Sequence, residues 1–420
     1  MNFRRGWVCV FLITLTTINY ADRVALSVAA TPIRTEFNLS QVQMGYLLSS
    51  FLWTYVLCLI PVGLLVDRFG GKIVNSLGIG LWSAATVLTG FAPGPAFMIA
   101  TRMVMGMGES TSWPASNRII REWFPLSERG LANAIFGAGS AAGPAIGALA
   151  ISYLVSAYGW RTGFIAAGSV GFVWLLAWLL LFDRPERTRW LGTEERQKIL
   201  RERDAAPDVV MGTGSPLRYL LRQRSVWGLF LTQGTEVYGG YMLLTWLPSY
   251  LQQAKGLSVM NAGMLTALPF GLAAVMAIGL GWISDKLLTP ETVQAGRRRS
   301  MIAVMLLGIS AILLVPLIDP LWLIILILAV VRALGQAGSA LNFALVTDIV
   351  RNRADVGKVT AITVLGGNTF GLMAPIVTGY VIGWTGSFDR AFVVAGLLPL
   401  AGAAATFCMT RKPIEPYHPG

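Results

Sequence analysis

The chain reads as a succession of apolar runs of about 20 residues, each long enough to cross a bilayer as a helix and each followed by a short polar break. Read from these runs, twelve spans fall at roughly 7–30, 44–66, 73–92, 96–118, 131–155, 162–182, 226–250, 259–283, 301–318, 320–346, 358–384 and 388–410. Strands of about ten residues with alternating polar and apolar positions, the mark of a membrane barrel, do not occur. The predicted fold class is an all-α membrane protein with twelve transmembrane helices in two six-helix bundles. The expected domains are an N-terminal bundle over 1–183, a cytoplasmic linker over 184–225, a C-terminal bundle over 226–411 and a cytoplasmic tail over 412–420. Inside the linker, "TEERQKILRERD" reads as a short surface helix.

The six-plus-six pattern carries an internal repeat. "GLLVDRFGGK" follows the second span, with Gly63, Asp67 and Arg68; "GWISDK" follows the eighth, with Gly281, Asp285 and Lys286. Both copies have Gly-x-x-x-Asp-basic, 218 residues apart, and the same offset places Tyr20 on Tyr238. Arg102 matches Arg332 if the loop after Asp285 is about 12 residues longer. Duplicated halves imply a site between them near the midplane. In the loop motif, glycine would let helices approach closely and the aspartate and arginine would latch a helix end by charge-assisted hydrogen bonds; a solvated turn is the alternative, and two copies at a fixed offset favour the latch.

Composition agrees with a membrane protein: 55% of residues are hydrophobic and 13% charged, where a soluble protein has about a quarter charged. The net charge of +12 does not point to nucleic acid, because 26 of the 33 lysines and arginines fall in one alternating set of loops plus the termini, and only four in the other set. That asymmetry is the positive-inside rule and places both termini in the cytoplasm. Acidic lipid headgroups are the expected surface partner. Cys9, Cys58 and Cys408 are scattered through apolar spans and imply no disulfide framework.

Several stretches resemble a known family. "GLLVDRFGGK" is similar to the loop motif of the major facilitator superfamily, and "RMVMGMGES" to its fourth-helix motif, with Arg102 as the arginine. More narrowly, "NYADR", "MGYLLSSFLWTYVLCLIPVGLLVDRFGGK" and "GESTSWPASNRIIREWFP" resemble the anion:cation symporter family, which includes bacterial proton-driven sugar-acid carriers. The resemblance implies the major facilitator fold, a bacterial inner-membrane location and proton-coupled import of an organic carboxylate.

Ionisable groups inside spans cost several kcal/mol unless paired or wet, so each is a functional candidate. They are Asp22, Arg23, Arg102, Glu109, Glu236 and Arg332. At ~1.5 Å per residue, Asp22, Arg23 and Arg102 come to similar depth in the outer half, with Glu109 two turns deeper than Arg102. The expectation is one internal cavity in which these charges pair and bind an anion; a fixed helix clamp is the alternative. Two acids and two arginines balance, so a substrate anion disturbs the balance unless a proton accompanies it. His418, the single histidine, lies in the tail, which leaves carboxylates to carry the proton.

The resemblance to the sugar-acid carriers assigns roles. Asp22 and Glu109 would carry protons, Arg102 would pair with an acid and couple the events, and Arg23 would bind the substrate carboxylate. Tyr20, Tyr55 and Asn368 would contact the substrate, with Tyr238 as the repeat partner of Tyr20. Ser140 stands where those carriers tend to have a larger amide, which weakens an aldonate assignment and permits a bulkier or less hydroxylated acid. Glu236 has no place in the pattern; a second proton site, a substrate contact and a packed protonated acid stay open. A drug or metabolite exporter would call for an acidic cavity without the two arginines, and a non-transporting sensor for loss of the coupling acids. An enzyme would need a nucleophile, metal or redox centre, and no such cluster is seen. No cofactor or metal is expected. The expected partners are a small organic anion, protons and membrane lipids, with the chain acting as a monomer. With twelve spans and both termini inside, a periplasmic reporter fused after Gly420 should be inactive; strong periplasmic activity there would refute the span count.

Overall fold

The computed structural model describes residues 3–188, 191–204, 214–294 and 296–417. Its elements are helices, joined by short turns. They are α1 (Phe3–Val28), α2 (Ala30–Glu36), α3 (Gln41–Phe69), α4 (Gly71–Gly90), α5 (Pro95–Glu109), α6 (Ser112–Trp123), α7 (Leu126–Tyr158) and α8 (Trp160–Leu181). Then come α9 (Thr193–Asp204), α10 (Leu217–Leu220), α11 (Arg224–Gln253), α12 (Val259–Leu287), α13 (Pro290–Gln294) and α14 (Arg297–Ile309), which tightens into a 3₁₀ turn over Ser310–Leu317. The last are α15 (Leu321–Ile349), α16 (Arg353–Thr385) and α17 (Phe388–Met409). The chain packs as two compact units. One takes Met1–Leu39, Leu47–Asp208 and Leu251–Ala267; the other takes Ser40–Tyr46, Val209–Tyr250 and Leu268–Gly420.

Among the described residues, ten helices are long and apolar enough to cross a membrane. The other two predicted spans have local reasons to fall short. The fourth is broken between α5 and α6. Pro114 sits in the first turn of α6, where its ring clashes with the carbonyl of Ser110 and its missing N–H leaves that carbonyl without a helical donor. Ser110 and Thr111 turn their hydroxyls back onto the carbonyls of Met107 and Gly108, at 2.7 and 2.9 Å. The seventh, α11, is diluted by the polar series Thr232, Gln233, Thr235 and Glu236, all buried.

A stripe of glycines sets the position of α1. Gly139, Gly143 and Gly147 recur every four residues on α7, so they share one face. A Cβ at Gly139 would lie 2.6 Å from the Ile13 carbonyl, one at Gly143 2.6 Å from the Thr17 carbonyl, and one at Gly147 2.7 Å from Ala21. In hydrocarbon no hydrophobic force drives helices together, so close van der Waals approach through small residues does that work. The backbone of α1 is thereby held against α7 along the stretch that carries Tyr20, Asp22 and Arg23. Aromatic stacking supports the other flank, with Trp178 stacked on Phe182 at 3.7 Å and on Trp174 at 5.1 Å. Outside the spans, Glu36 accepts from Arg161 and from the Trp160 indole, and these bonds hold its carboxyl below the usual carboxylate range.

The loop motif after α3 ends that helix beside α6. A Cβ on Gly63 would meet nothing within 4 Å, and the same holds at Gly281, so neither glycine serves a close helix approach. The tight contact is eight residues further on, at the start of α4: a Cβ at Gly71 would lie 2.9 Å from the Ala115 carbonyl, and Gly70, at φ +87°, makes the corner. Asp67 and Arg68 are exposed. Arg118 of α6 clamps this end: it donates to the carbonyls of Val66 and Asp67 at 2.7 and 2.9 Å, and its Nη1 lies 3.9 Å from the Asp67 carboxylate. A cation on the carbonyls that end a helix complements their partial negative charge. In the second copy, Lys286 lies 3.7 Å from the Trp282 ring centroid, and the Asp285 side chain is outside those described.

Gly143→Leu should overpack the α1–α7 contact and destabilise the fold by about 1–3 kcal/mol. Gly63→Leu, with open space around it, should stay within about 0.5 kcal/mol of the parent. Denaturation of both variants in detergent checks the contrast, and equal losses would contradict it.

Candidate functional site

The first unit brings four ionisable groups of α1 and α5 into one buried cluster. Its centre is the ion pair between Arg23 Nε and Glu109 Oε2, 2.7 Å apart, with both side chains almost wholly buried (2% and 0% exposed). The Arg23 guanidinium is also enclosed by rings: its Cζ lies 4.6 Å from the Tyr20 centroid, 5.0 Å from that of Tyr55 and 5.1 Å from that of Phe51. The Tyr55 hydroxyl is a further hydrogen-bond partner of Arg23, and Asn19 stands beside the Glu109 carboxylate. A desolvated cation gains most from aromatic faces where water is absent.

Asp22 and Arg102 are buried in the same cluster. Asp22 has Glu109, Arg102 and the Trp82 indole as neighbours. Among the described residues Arg102 makes no ion pair within 4 Å; its Nη1 donates to Met105 Sδ at 2.9 Å and lies 3.5 Å from the Asp22 carbonyl oxygen. The sequence reading put Glu109 two turns away from the Arg23 level and paired Arg102 with an acid. The structure reverses this, because the long Arg23 side chain runs along α1 and takes the Glu109 carboxylate. Residue counting locates Cα atoms, and a flexible arginine can shift its charge by several ångströms from its Cα.

Sequence reasoning did not single out Phe51, Asn19, Trp82 or Met105. Two of them had a signal: Asn19 is one turn before Arg23 on α1, and Phe51 one turn before Tyr55 on α3, so each shares a face with a nominated residue. Ser140 is half-buried and donates to its own helix at the Gly137 carbonyl, 2.7 Å away.

The second unit holds a neutral polar cluster. Gln233 Nε2 donates to Ser339 Oγ at 2.5 Å, and Asn342 Nδ2 donates to Gln233 Oε1 at 3.0 Å and to the Leu229 carbonyl at 3.2 Å. Tyr238 is buried beside Thr378, and Asn368 on α16 is half-buried. Glu236 is buried against α15 at Gly338, and among the described residues no hydrogen bond reaches either carboxyl oxygen. Arg332 sits under the Phe270 ring, 5.7 Å from Cζ to centroid, and packs against Gly240. Gly240 follows Asp22, whose carbonyl neighbours Arg102, by the repeat offset of 218 residues. The two arginines thus occupy matching places in the two repeats. Among the described residues no cluster of three or more His, Cys, Asp or Glu can hold a metal.

The profile of the Major Facilitator Superfamily matches residues 12–295 of the chain. The chain belongs to this superfamily. It is 31% identical to a probable galactarate/D-glucarate transporter of Bacillus subtilis over 97% of this chain and 92% of that protein. It is 32% identical to a chloroplastic ascorbate transporter of Arabidopsis thaliana, over 96% of this chain and 74% of that one. Among solved structures, an inward-open xylose transporter of E. coli aligns with a TM-score of 0.76 at 14% identity, covering 96% of both chains. That likeness concerns the fold. This member of the superfamily is a multi-pass transporter, not an enzyme.

Breaking a buried ion pair by removing one partner strands a charge and costs about 3–5 kcal/mol. Arg23→Ala and Glu109→Gln should each lower the thermal transition of the purified protein. The double variant should lose clearly less than the sum, because no charge is stranded. Strict additivity would mean that the pair is not energetically coupled.

Proposed function

We propose that this transporter carries an organic carboxylate into the cell by proton-coupled symport, through alternating access of its two six-helix repeats, with both termini in the cytoplasm of a bacterial inner membrane. The sugar acids and ascorbate named for its relatives support the substrate class. The proposed substrate is a sugar acid or an aromatic or dicarboxylic acid.

One observation carries the reading: the guanidinium best suited to a substrate carboxylate is held by Glu109 at 2.7 Å. Arg23 is planar and two-pronged, the geometry that fits a carboxylate. It cannot serve two carboxylates fully at once in a dry site. Protonating Glu109 weakens its hold on Arg23, and the incoming anion takes its place. Substrate and proton then arrive together, and the formal charge of the cluster is unchanged. Asp22, with Arg102 beside it, is the second acid of the coupled set, so the two titrate as a pair. Tyr20 and Tyr55, already against Arg23, supply hydroxyls to the bound acid. Asn368 and Tyr238 are proposed substrate contacts from the second unit. Glu236 is proposed as a neutral acid, because a charge there would be uncompensated.

Uptake into proteoliposomes tests this. With an imposed inward proton gradient, the wild-type protein should concentrate its carboxylate substrate. Arg23→Ala should abolish binding, and Asp22→Asn or Glu109→Gln should abolish accumulation. Counterflow, which needs no net proton movement, should survive better in Asp22→Asn, since Asp22 does not hold Arg23. Accumulation by both neutral variants would overturn the coupling assignment.

A further inference from the structure

The second unit contains a basic cavity that the transport reading does not use. It measures about 540 Å³ and is lined by Arg298, Arg299, Arg351 and Arg411 with a single acid, Asp348. The four arginines come from three separate places: the start of α14, the turn between α15 and α16, and the segment after α17. Arg298 is engaged, donating to Asp348 and to the Ala344 carbonyl. Arg299, Arg351 and Arg411 have no carboxylate partner among the described residues, which leaves the pocket with an excess of three positive charges.

Two of these cations share one aromatic neighbour. The guanidiniums of Arg299 and Arg411 lie beside the same ring, with Cζ 5.6 and 4.8 Å from the Phe407 centroid. An anion in the cavity they both line would offset their like charge. Gly296, which also lines the cavity, caps the positive N-terminal end of α14 and adds its dipole in the same sense. The surrounding surface changes character within about three turns along the helices. Val304 and Leu307 of α14 and Leu400 and Phe407 of α17 are large, apolar and exposed. A cationic pocket at the ends of helices that then present bare apolar faces suits a ligand with a phosphate at one end and hydrocarbon at the other. Free phosphate would use the arginines and leave those faces unanswered.

We propose that this cavity is a binding site for the phosphate headgroup of an acidic phospholipid, with its acyl chains along α14 and α17. The choice of the cytoplasmic leaflet follows the orientation proposed above; the site itself does not depend on the transport mechanism. Each arginine near an anionic lipid contributes about 1 kcal/mol, or roughly fivefold in affinity.

The test uses the full-length protein purified in a neutral detergent. Native mass spectrometry and thermal denaturation would follow titration with phosphatidylglycerol, phosphatidylcholine and inorganic phosphate. Wild type should bind and be stabilised by phosphatidylglycerol in preference to phosphatidylcholine. Arg299→Gln/Arg411→Gln should weaken phosphatidylglycerol binding roughly 25-fold and leave phosphatidylcholine unaffected. Inorganic phosphate should neither stabilise nor compete. Should the double variant fail to fold, the exposed Arg351→Gln is the substitute, with about a fivefold loss expected. Unchanged phosphatidylglycerol affinity in the variant that folds would overturn the site. Competition by inorganic phosphate at comparable concentration would overturn the lipid and make it a soluble-anion pocket.

Discussion

A guanidinium and a carboxylate buried in the hydrocarbon zone are tolerable only in contact with each other. Each ion alone costs several kcal/mol to desolvate, and their mutual attraction repays this only with good geometry and further polar partners. Arg23 and Glu109 meet that condition at 2.7 Å, inside an enclosure of Tyr20, Phe51 and Tyr55. The requirement reaches outward through the first unit. α1 must approach closely enough for Arg23 to reach α5, and the glycine stripe of α7 lets its backbone sit where any side chain would hold it off. On the other side, a Cβ at Gly106 would collide with the Phe51 carbonyl, so α5 and α3 also pack backbone to backbone. The small residues and the charges are two parts of one arrangement.

The same pair limits what the site can do. Hydrophobic side chains of similar volume would hold the helices together at no desolvation cost, so an ion pair is a poor choice of glue. It is a good choice where one partner must be exchanged. A carboxylate changes its charge by taking a proton, and an arginine does not. In the proposed symport, the fixed charge is that of the residue that waits for an anion, and the variable charge that of the residue that yields it. Met105 and the Asp22 carbonyl, rather than a second carboxylate, engage Arg102.

Most of the architecture was legible in the chain because lipid removes alternatives: a run of about 20 apolar residues has little choice but a spanning helix. Two departures had causes written locally, Pro114 in the fourth span and the polar series from Thr232 to Glu236 in the seventh. The candidate cluster was legible as a set, since Asp22, Arg23, Arg102 and Glu109 stand out against their apolar surroundings. Their pairing was not, because a depth count follows the backbone while arginine places its charge far from its Cα. Nor was the behaviour of the loop motif. Gly63 and Gly71 look equivalent in sequence, and only the neighbouring helix decides that Gly71 is crowded and Gly63 is not. Arg118, which clamps the end of α3, lies 51 residues from Asp67 and carries no local mark of that role.

The repeat separates framework from chemistry. Tyr20 and Tyr238 correspond, as do Arg102 and Arg332, and the backbone beside each arginine, at Asp22 and at Gly240, corresponds too. The remaining charges of the first cluster have no charged counterpart. By the same offsets, Asp22, Arg23 and Glu109 fall on Gly240, Tyr241 and Ser339. Ser339 instead accepts from Gln233. The duplicated arginines, present in both repeats, belong to the framework that both inherited. In the proposed symport, the charge exchanged for a substrate and a proton lies in one repeat, and the other holds amides, hydroxyls and the buried acid Glu236 of α11. Such a division keeps the number of buried charges low while retaining hydrogen-bonding groups in both halves. It also fits a polar α11: Thr232 pairs with Thr406, and Gln233 with Ser339 and Asn342, neutral hydrogen bonds that incur a fraction of the desolvation cost of the Arg23 pair.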